Sequence, residues 1–102
     1  MRTLFHPKIE DIQLTMVFHA LSDPTRLDMV RGMLLDPLFN CSARYPNIPK
    51  STRSHHLRIL RESGLVLVEP VGTSQSVSIR REELDSRFPG LLDTITNTIN
   101  PI

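Results

Sequence analysis

Apolar residues recur at three- and four-residue spacing through the first third of the chain. Ile9, Ile12 and Met16, with Val17, Ala20 and Leu21 further round, share a helical face and predict a first helix over 9–21. A second helix is predicted in SDPTRLDMVRGMLL. Ser22 or Asp23 can cap it, and Pro24 suits its first turn, where a missing N–H is not needed. Leu27, Val30 and Leu34, joined by Met33, form its stripe, and Asp36-Pro37 ends it. LFNCSARYPNIP has room for one or two helical turns around Phe39 to Arg44 before Pro46 stops them. The most regular helix begins at Pro49 or Lys50. Leu57, Leu60 and Leu65 point inward, Ile48 and Ile59 flank them, and Gly64 suits a C-terminal residue with positive φ.

The period then falls to two. Val66, Val68 and Val71 read as one strand, Gly72-Thr73-Ser74 as a turn, and Val77 and Ile79 as a second strand. RREELDSRF restarts a helical pattern, and Pro89-Gly90 interrupts it. LLDTITNTI then supplies a last helix with Leu91, Leu92, Ile95 and Ile99 on one side. The predicted fold is mainly α with a small β-hairpin. Its order is helix, helix, short helix, recognition helix, wing and C-terminal helix, which is a winged helix-turn-helix. We expect a single domain over 1–102, with the helix-turn-helix at 38–64 and the wing at 65–80.

Composition adds exclusions. With 39% hydrophobic and 23% charged residues, the chain has the balance of a folded protein rather than a disordered one. At 102 residues its core is modest, and chains of this size often gain stability by dimerising. The apolar runs are too short to span a membrane. MRTLFHPKIEDIQ has no apolar core of signal-peptide length, so a cytoplasmic location is expected. The lone Cys41 fits a reducing compartment.

The net charge is only +1, so its distribution carries the information. Arg44, Lys50, Arg53, Arg58 and Arg61 stand in a stretch free of acids, whereas Glu82, Glu83, Asp85 and Asp93 face Arg87 alone near the end. A basic middle and an acidic tail suggest one face turned to phosphate. Within KSTRSHHLRILRESGLV, Leu57 and Leu60 define the buried side. Ser51, Ser54, His55 and Arg58 lie largely opposite, with Lys50 and Thr52 at the helix start and Arg61 near its end. Hydroxyl groups bond base edges or phosphates, and Arg and His donate to guanine N7 or O6. Phosphate contacts position such a helix, and base contacts supply sequence preference. The plainer reading makes Ser51 an N-cap and Arg58 a solvated cation, and capping is compatible with phosphate contact.

Other residues are weighed in the same way. His56 reads as a core-edge histidine hydrogen-bonded to backbone. Arg53 flanks the buried stripe, and its head could go to phosphate or to an acid. His55 and His56 point about 100° apart on a helix and cannot easily share an ion, and His6 and His19 are remote in sequence, so no metal site is expected. Cys41 reads as a half-buried apolar cysteine, with a redox switch as the alternative. Ser54, His55 and Asp28 are residue types found in catalytic sites, but no glycine-rich turn or oxyanion-hole pattern accompanies them. Neither an enzyme nor a cofactor is expected. The competing class is a winged-helix protein-interaction module without DNA binding. Weak net charge favours it, and the hydroxyl-and-cation face opposes it.

Two stretches also carry a family resemblance. ALSDPTRLDMVRGML, Ala20 to Leu34, resembles the opening signature of ArsR-type (ArsR/SmtB-like) bacterial repressors. STRSHHLRILRESGLV, Ser51 to Val66, resembles their recognition helix and its exit into the wing. The resemblance implies a homodimeric transcription regulator with double-stranded DNA as partner. It implies dimerisation through the first and last helices, 9–21 and 90–99, with Ile12, Met16, Leu92, Ile95 and Ile99 as contacts. The turn of the predicted hairpin puts Thr73, Ser74 and Gln75 at the wing.

The departures are specific. Metal-sensing members carry paired cysteines where this chain has FNCSARYP, and others use a histidine on the last helix, which here has Asp93 and no histidine. The wing tip VGTSQS has no Arg or Lys, and Tyr45-Pro46 predicts a short or distorted helix before the recognition helix. The expected function is a dimeric repressor of a near-palindromic operator, its two reading helices about 34 Å apart. Its expected effector is a small molecule or a redox signal.

Overall fold

The computed structural model describes residues 4–98. The predicted first helix divides in two. A 3-10 turn spans Ile9–Asp11, Ile12 turns extended, and helix α1 then runs over Leu14–Leu21. Ile12 sits outside helical geometry with its side chain in the core, where it is almost completely buried. Helix α2 covers Pro24–Leu35. Asp23 caps it by accepting from the Arg26 N–H at 3.1 Å, and Pro24 opens its first turn. Its buried side is Arg26, Met29 and Val30. Leu27, Met33 and Leu34 lie at the edge, half-buried.

Helix α3 is a single turn, Cys41–Arg44, capped by Asn40, and the chain leaves it at Tyr45. Helix α4 spans Lys50–Ser63. Gly64 ends it at φ 93°, with Leu65 N–H donating to Leu60 O at 3.1 Å and Gly64 N–H to Arg61 O at 3.1 Å. This is a Schellman closure, which satisfies carbonyls the helix end would otherwise strand. Strands β1, Val66–Val71, and β2, Ser74–Ile79, then pair antiparallel from Val66↔Ile79 to Val71↔Ser74. Val66 and Val68 root the hairpin in the core, and its outer half is exposed. Helices α5, Arg81–Arg87, and α6, Leu91–Asn97, follow, and Gly90 reverses the chain between them at φ 88°.

The core gathers Val17 and Ala20 from α1, Met29 and Val30 from α2, Leu60 from α4, the strand valines, Leu84, Leu92 and Ile95. The N-terminal segment is strapped across the base of the wing. His6 Nε2 accepts from the Val68 N–H at 3.0 Å, Arg80 Nη1 donates to Pro7 O at 2.8 Å, and Arg87 Nη1 donates to Ile9 O at 3.0 Å.

Candidate nucleic-acid interface

Successive residues of α4 step round its axis by about 100°, which sorts the helix into three sides. Arg53, His56, Leu60 and Ser63 face inward. Lys50, Ser54, Leu57, Arg58 and Arg61 form a side turned to the wing. Ser51, Thr52 and His55 lie on a third side, and all three are exposed. A cleft of about 560 Å³ separates α3, α4 and the wing. Lys50, Ser54 and Leu57 line one wall, and Thr73, Ser74 and Gln75 line the other. A smaller cavity of about 200 Å³ continues towards the end of α4, between Ser54, Arg58, Arg61, Gln75 and Val68. The structure therefore brings the wing residues together with Lys50, Ser54, Arg58 and Arg61. Ser51, Thr52 and His55 border neither cavity.

The inward residues explain why α4 is held where it is. The described bonds of Arg53 go to backbone carbonyls rather than to an acid. Its Nη1 donates to Tyr45 O at 3.1 Å and Ile48 O at 2.7 Å, pinning the turn between α3 and α4. Arg44 is likewise engaged internally, with both Nε and Nη2 on the Asp28 carboxylate at 3.2 and 2.9 Å. The Tyr45 hydroxyl donates to the same carboxylate. Burial opposes the Asp28 charge, but the Arg44 and Tyr45 hydrogen bonds outweigh it and hold the carboxyl below its usual range. Burial and that same bond push the Tyr45 hydroxyl well above its ordinary value. Arg44 and Arg53 therefore build the turn, whereas Lys50 and Arg58 are exposed and Arg61 is half-buried. Arg58 has a side-chain exposure of 66% and makes an exposed pair with Glu62 at 3.3 Å.

His56 does bond at the core edge, but its partner is a side chain rather than backbone. Arg26 Nη1 lies 3.2 Å from His56 Nδ1. Arg26 is only 8% exposed and also donates through Nε to Ala20 O at 2.7 Å, tying α1, α2 and α4 at one joint. Arg26 lies outside the acid-free basic stretch and is not marked by charge pattern. The available signal was its spacing, since it precedes Met29 by three and Val30 by four, on their buried side. A guanidinium can only donate, so His56 must accept through Nδ1 and be neutral. Burial lowers the His56 pKa, the Arg26 and His55 charges lower it further, and Asp23 acts in the opposite sense.

A depressed folded-state histidine pKa stabilises the fold above the unfolded value and ceases to do so as pH falls through the folded value. The melting temperature is therefore expected to drop as pH passes below the ordinary histidine value of 6.5. His56→Asn, which retains an acceptor but does not titrate, is expected to flatten that part of the profile. Equal pH slopes for the two proteins in thermal melts would remove His56 as the cause.

The composite surface is an exposed hydroxyl-and-cation helix beside a β-hairpin, held by a buried arginine joint. A profile described as "Bacterial regulatory protein, arsR family" matches residues 23–68, which run from the α2 cap to the middle of β1. An uncharacterised HTH-type transcriptional regulator of Bacillus subtilis (strain 168), YceK, is 33% identical over 82 residues. The match spans 78% of this chain and 82% of the relative. The chain belongs to the arsR family. It is a winged helix-turn-helix DNA-binding regulator and not an enzyme.

The matched arsR segment contains the features described above. Asp23, Pro24 and Arg26 start and anchor α2, and Gly64 closes α4. Other expected sites are placed as follows. Among the described residues, no three His, Cys, Asp or Glu side chains gather to hold a metal ion. Cys41 lines the larger cleft, half-buried, and burial pushes its thiol pKa up. Ile12, Leu92 and Ile95 pack into the chain's own core, while Met16 is exposed and Ile99 lies outside the described residues. Leu14 and Phe18 are also exposed, and Phe18 is 54% accessible.

Proposed function

We propose that this arsR-family chain acts as a homodimeric repressor that docks two copies of α4 into successive major grooves of a near-palindromic operator. The observation that carries the reading is the exposed set Lys50, Ser51, Thr52, Ser54, His55 and Arg58 on a helix whose opposite side is locked by Arg26 and Arg53. A rigid helix presenting short hydroxyls and cations suits groove entry. Arg58, Lys50 and Arg61 supply a salt-dependent phosphate attraction, and the neutral Thr73, Ser74 and Gln75 place the wing against the backbone. The site of action is the cytoplasm, where such DNA lies, and no metal or cofactor is required.

The decisive test is an anisotropy titration of labelled duplex from upstream of the gene, at two salt concentrations, beside a scrambled duplex. Tighter, salt-sensitive binding to the upstream sequence is expected. Equal binding to both duplexes by folded protein would sink the operator reading and favour the protein-interaction module.

The dimer contact is proposed on the outward flanks of α1, where Leu14, Met16 and Phe18 leave apolar surface uncovered. Phe18→Glu is expected to weaken the dimer by about tenfold or more, through lost aromatic burial and charge placed in an apolar contact. Sedimentation at graded concentration reads this directly. An unchanged dimer would move the interface elsewhere.

A further inference from the structure

The cavities beside α4 have a composition that phosphate tracking alone does not require. The smaller one is lined by Arg58 and Arg61 together with Ser54 and Gln75. Its remaining walls include Leu57 and Val68. Two arginines lining one cavity suit an anionic oxygen, which accepts charge-assisted hydrogen bonds from guanidinium N–H groups.

The larger cleft meets the smaller at Ser54, Leu57 and Gln75, and it adds Met33, Phe39 and Val77 as apolar surface. Its volume of about 560 Å³ lies within the range of small-ligand sites. A bare inorganic anion would leave that apolar surface unused. A neutral apolar molecule would leave the two guanidinium groups unused.

From this juxtaposition we infer that the α4–wing trough is an effector site for a small organic anion. Its carboxylate or sulfonate sits at Arg58 and Arg61, and its apolar body lies over Leu57 and Val77. The inference rests on the proposed use of α4 in docking DNA, because the ligand would occupy the cations and the Gln75 wall that face the phosphates. Such an effector releases DNA by direct competition. It needs neither a metal nor a movement relayed from a distant site. The exposed Arg58–Glu62 pair is weak and yields to either anion.

The probe is anilinonaphthalene sulfonate, an organic anion with an aromatic body, titrated by fluorescence into the full-length protein without DNA. The uncharged N-phenylnaphthylamine serves as its matched control. Saturable binding of the anion is expected. Arg61→Gln should weaken it about tenfold by removing a charge-assisted contact, with little change for the neutral probe. Gln75→Glu, on the exposed wing, should weaken it in the same way and keeps the test valid if the Arg61 variant is unstable.

Equal binding of the two probes, or anion binding unaffected by both substitutions, overturns the site. Operator duplex should displace the anion. A ternary complex that retains both ligands overturns competition. The DNA-free titration stands apart from the operator assay. Lost DNA binding with intact, substitution-sensitive anion binding would therefore refute only the DNA reading, and the reverse pattern would refute only the effector site.

Discussion

Arg58→Glu is expected to weaken operator binding by roughly 10²-fold or more, since a dimer loses two charge-assisted contacts of about 1.5–3 kcal/mol each. The substitution also sets a carboxylate against phosphate, which adds repulsion, and it should lower the slope of log affinity against log salt. The fold should tolerate it. Arg58 is an exposed residue whose only described partner is the exposed Glu62 carboxylate. Losing that pair and creating a like-charge pair at the same spacing each cost about 0.2–0.5 kcal/mol. The melting temperature should therefore fall by no more than about 6 °C. Anisotropy titration and thermal melting of the same preparation separate the two effects. Unchanged affinity would remove the wing-facing edge of α4 from the DNA interface and leave Ser51, Thr52 and His55 as the reading side.

That distinction between two sides of α4 shows what the sequence could and could not convey. Apolar period alone located α2, α4 and the hairpin, because each buries one stripe against a shared core. It did not reveal the break at Ile12. An apolar residue at helical spacing also satisfies the core from an extended backbone, and Ile12 does so. Periodicity also cannot tell a chain's own core from a subunit contact. Leu92 and Ile95 suit either, and the structure consumes both internally. The basic stretch was equally ambiguous. Arg44 and Arg53 look like Arg58 in a charge profile, but carbonyl and carboxylate acceptors claim them to build the turn before α4. The wing-facing grouping of Lys50, Ser54, Arg58 and Arg61 was present in the helix geometry. Its significance depended on where the hairpin lies, which is a tertiary fact.

Gly64 offers the largest stability effect, and it bears on that placement because it joins the reading helix to the wing. At φ 93° a side chain costs about 1–2 kcal/mol from the left-handed backbone alone. A Cβ at this position would also lie 2.6 Å from Ile12 Cγ1 and 2.8 Å from Ile12 Cδ1. Ile12 is almost completely buried, so it has little room to withdraw, and overpacking of this kind costs about 1–3 kcal/mol. Gly64→Ala is therefore expected to destabilise the protein by about 2–5 kcal/mol, a large share of the stability of a small domain.

Gly72 supplies the control. It is also left-handed, at φ 60°, but a Cβ there meets nothing within 4 Å. Gly72→Ala should cost about 1–2 kcal/mol, the backbone part alone. The difference between the two variants in denaturant unfolding isolates the Ile12 contact. Measured against Ile12→Val alone, Gly64→Ala should cost less than it does beside Ile12, since the Cδ1 contact at 2.8 Å is gone while the Cγ1 contact remains. Equal losses at Gly64 and Gly72 would mean that backbone geometry alone fixes the angle at which α4 passes into the wing. Unequal losses would mean that the N-terminal segment, through Ile12, sets the geometry of the DNA-facing surface from behind.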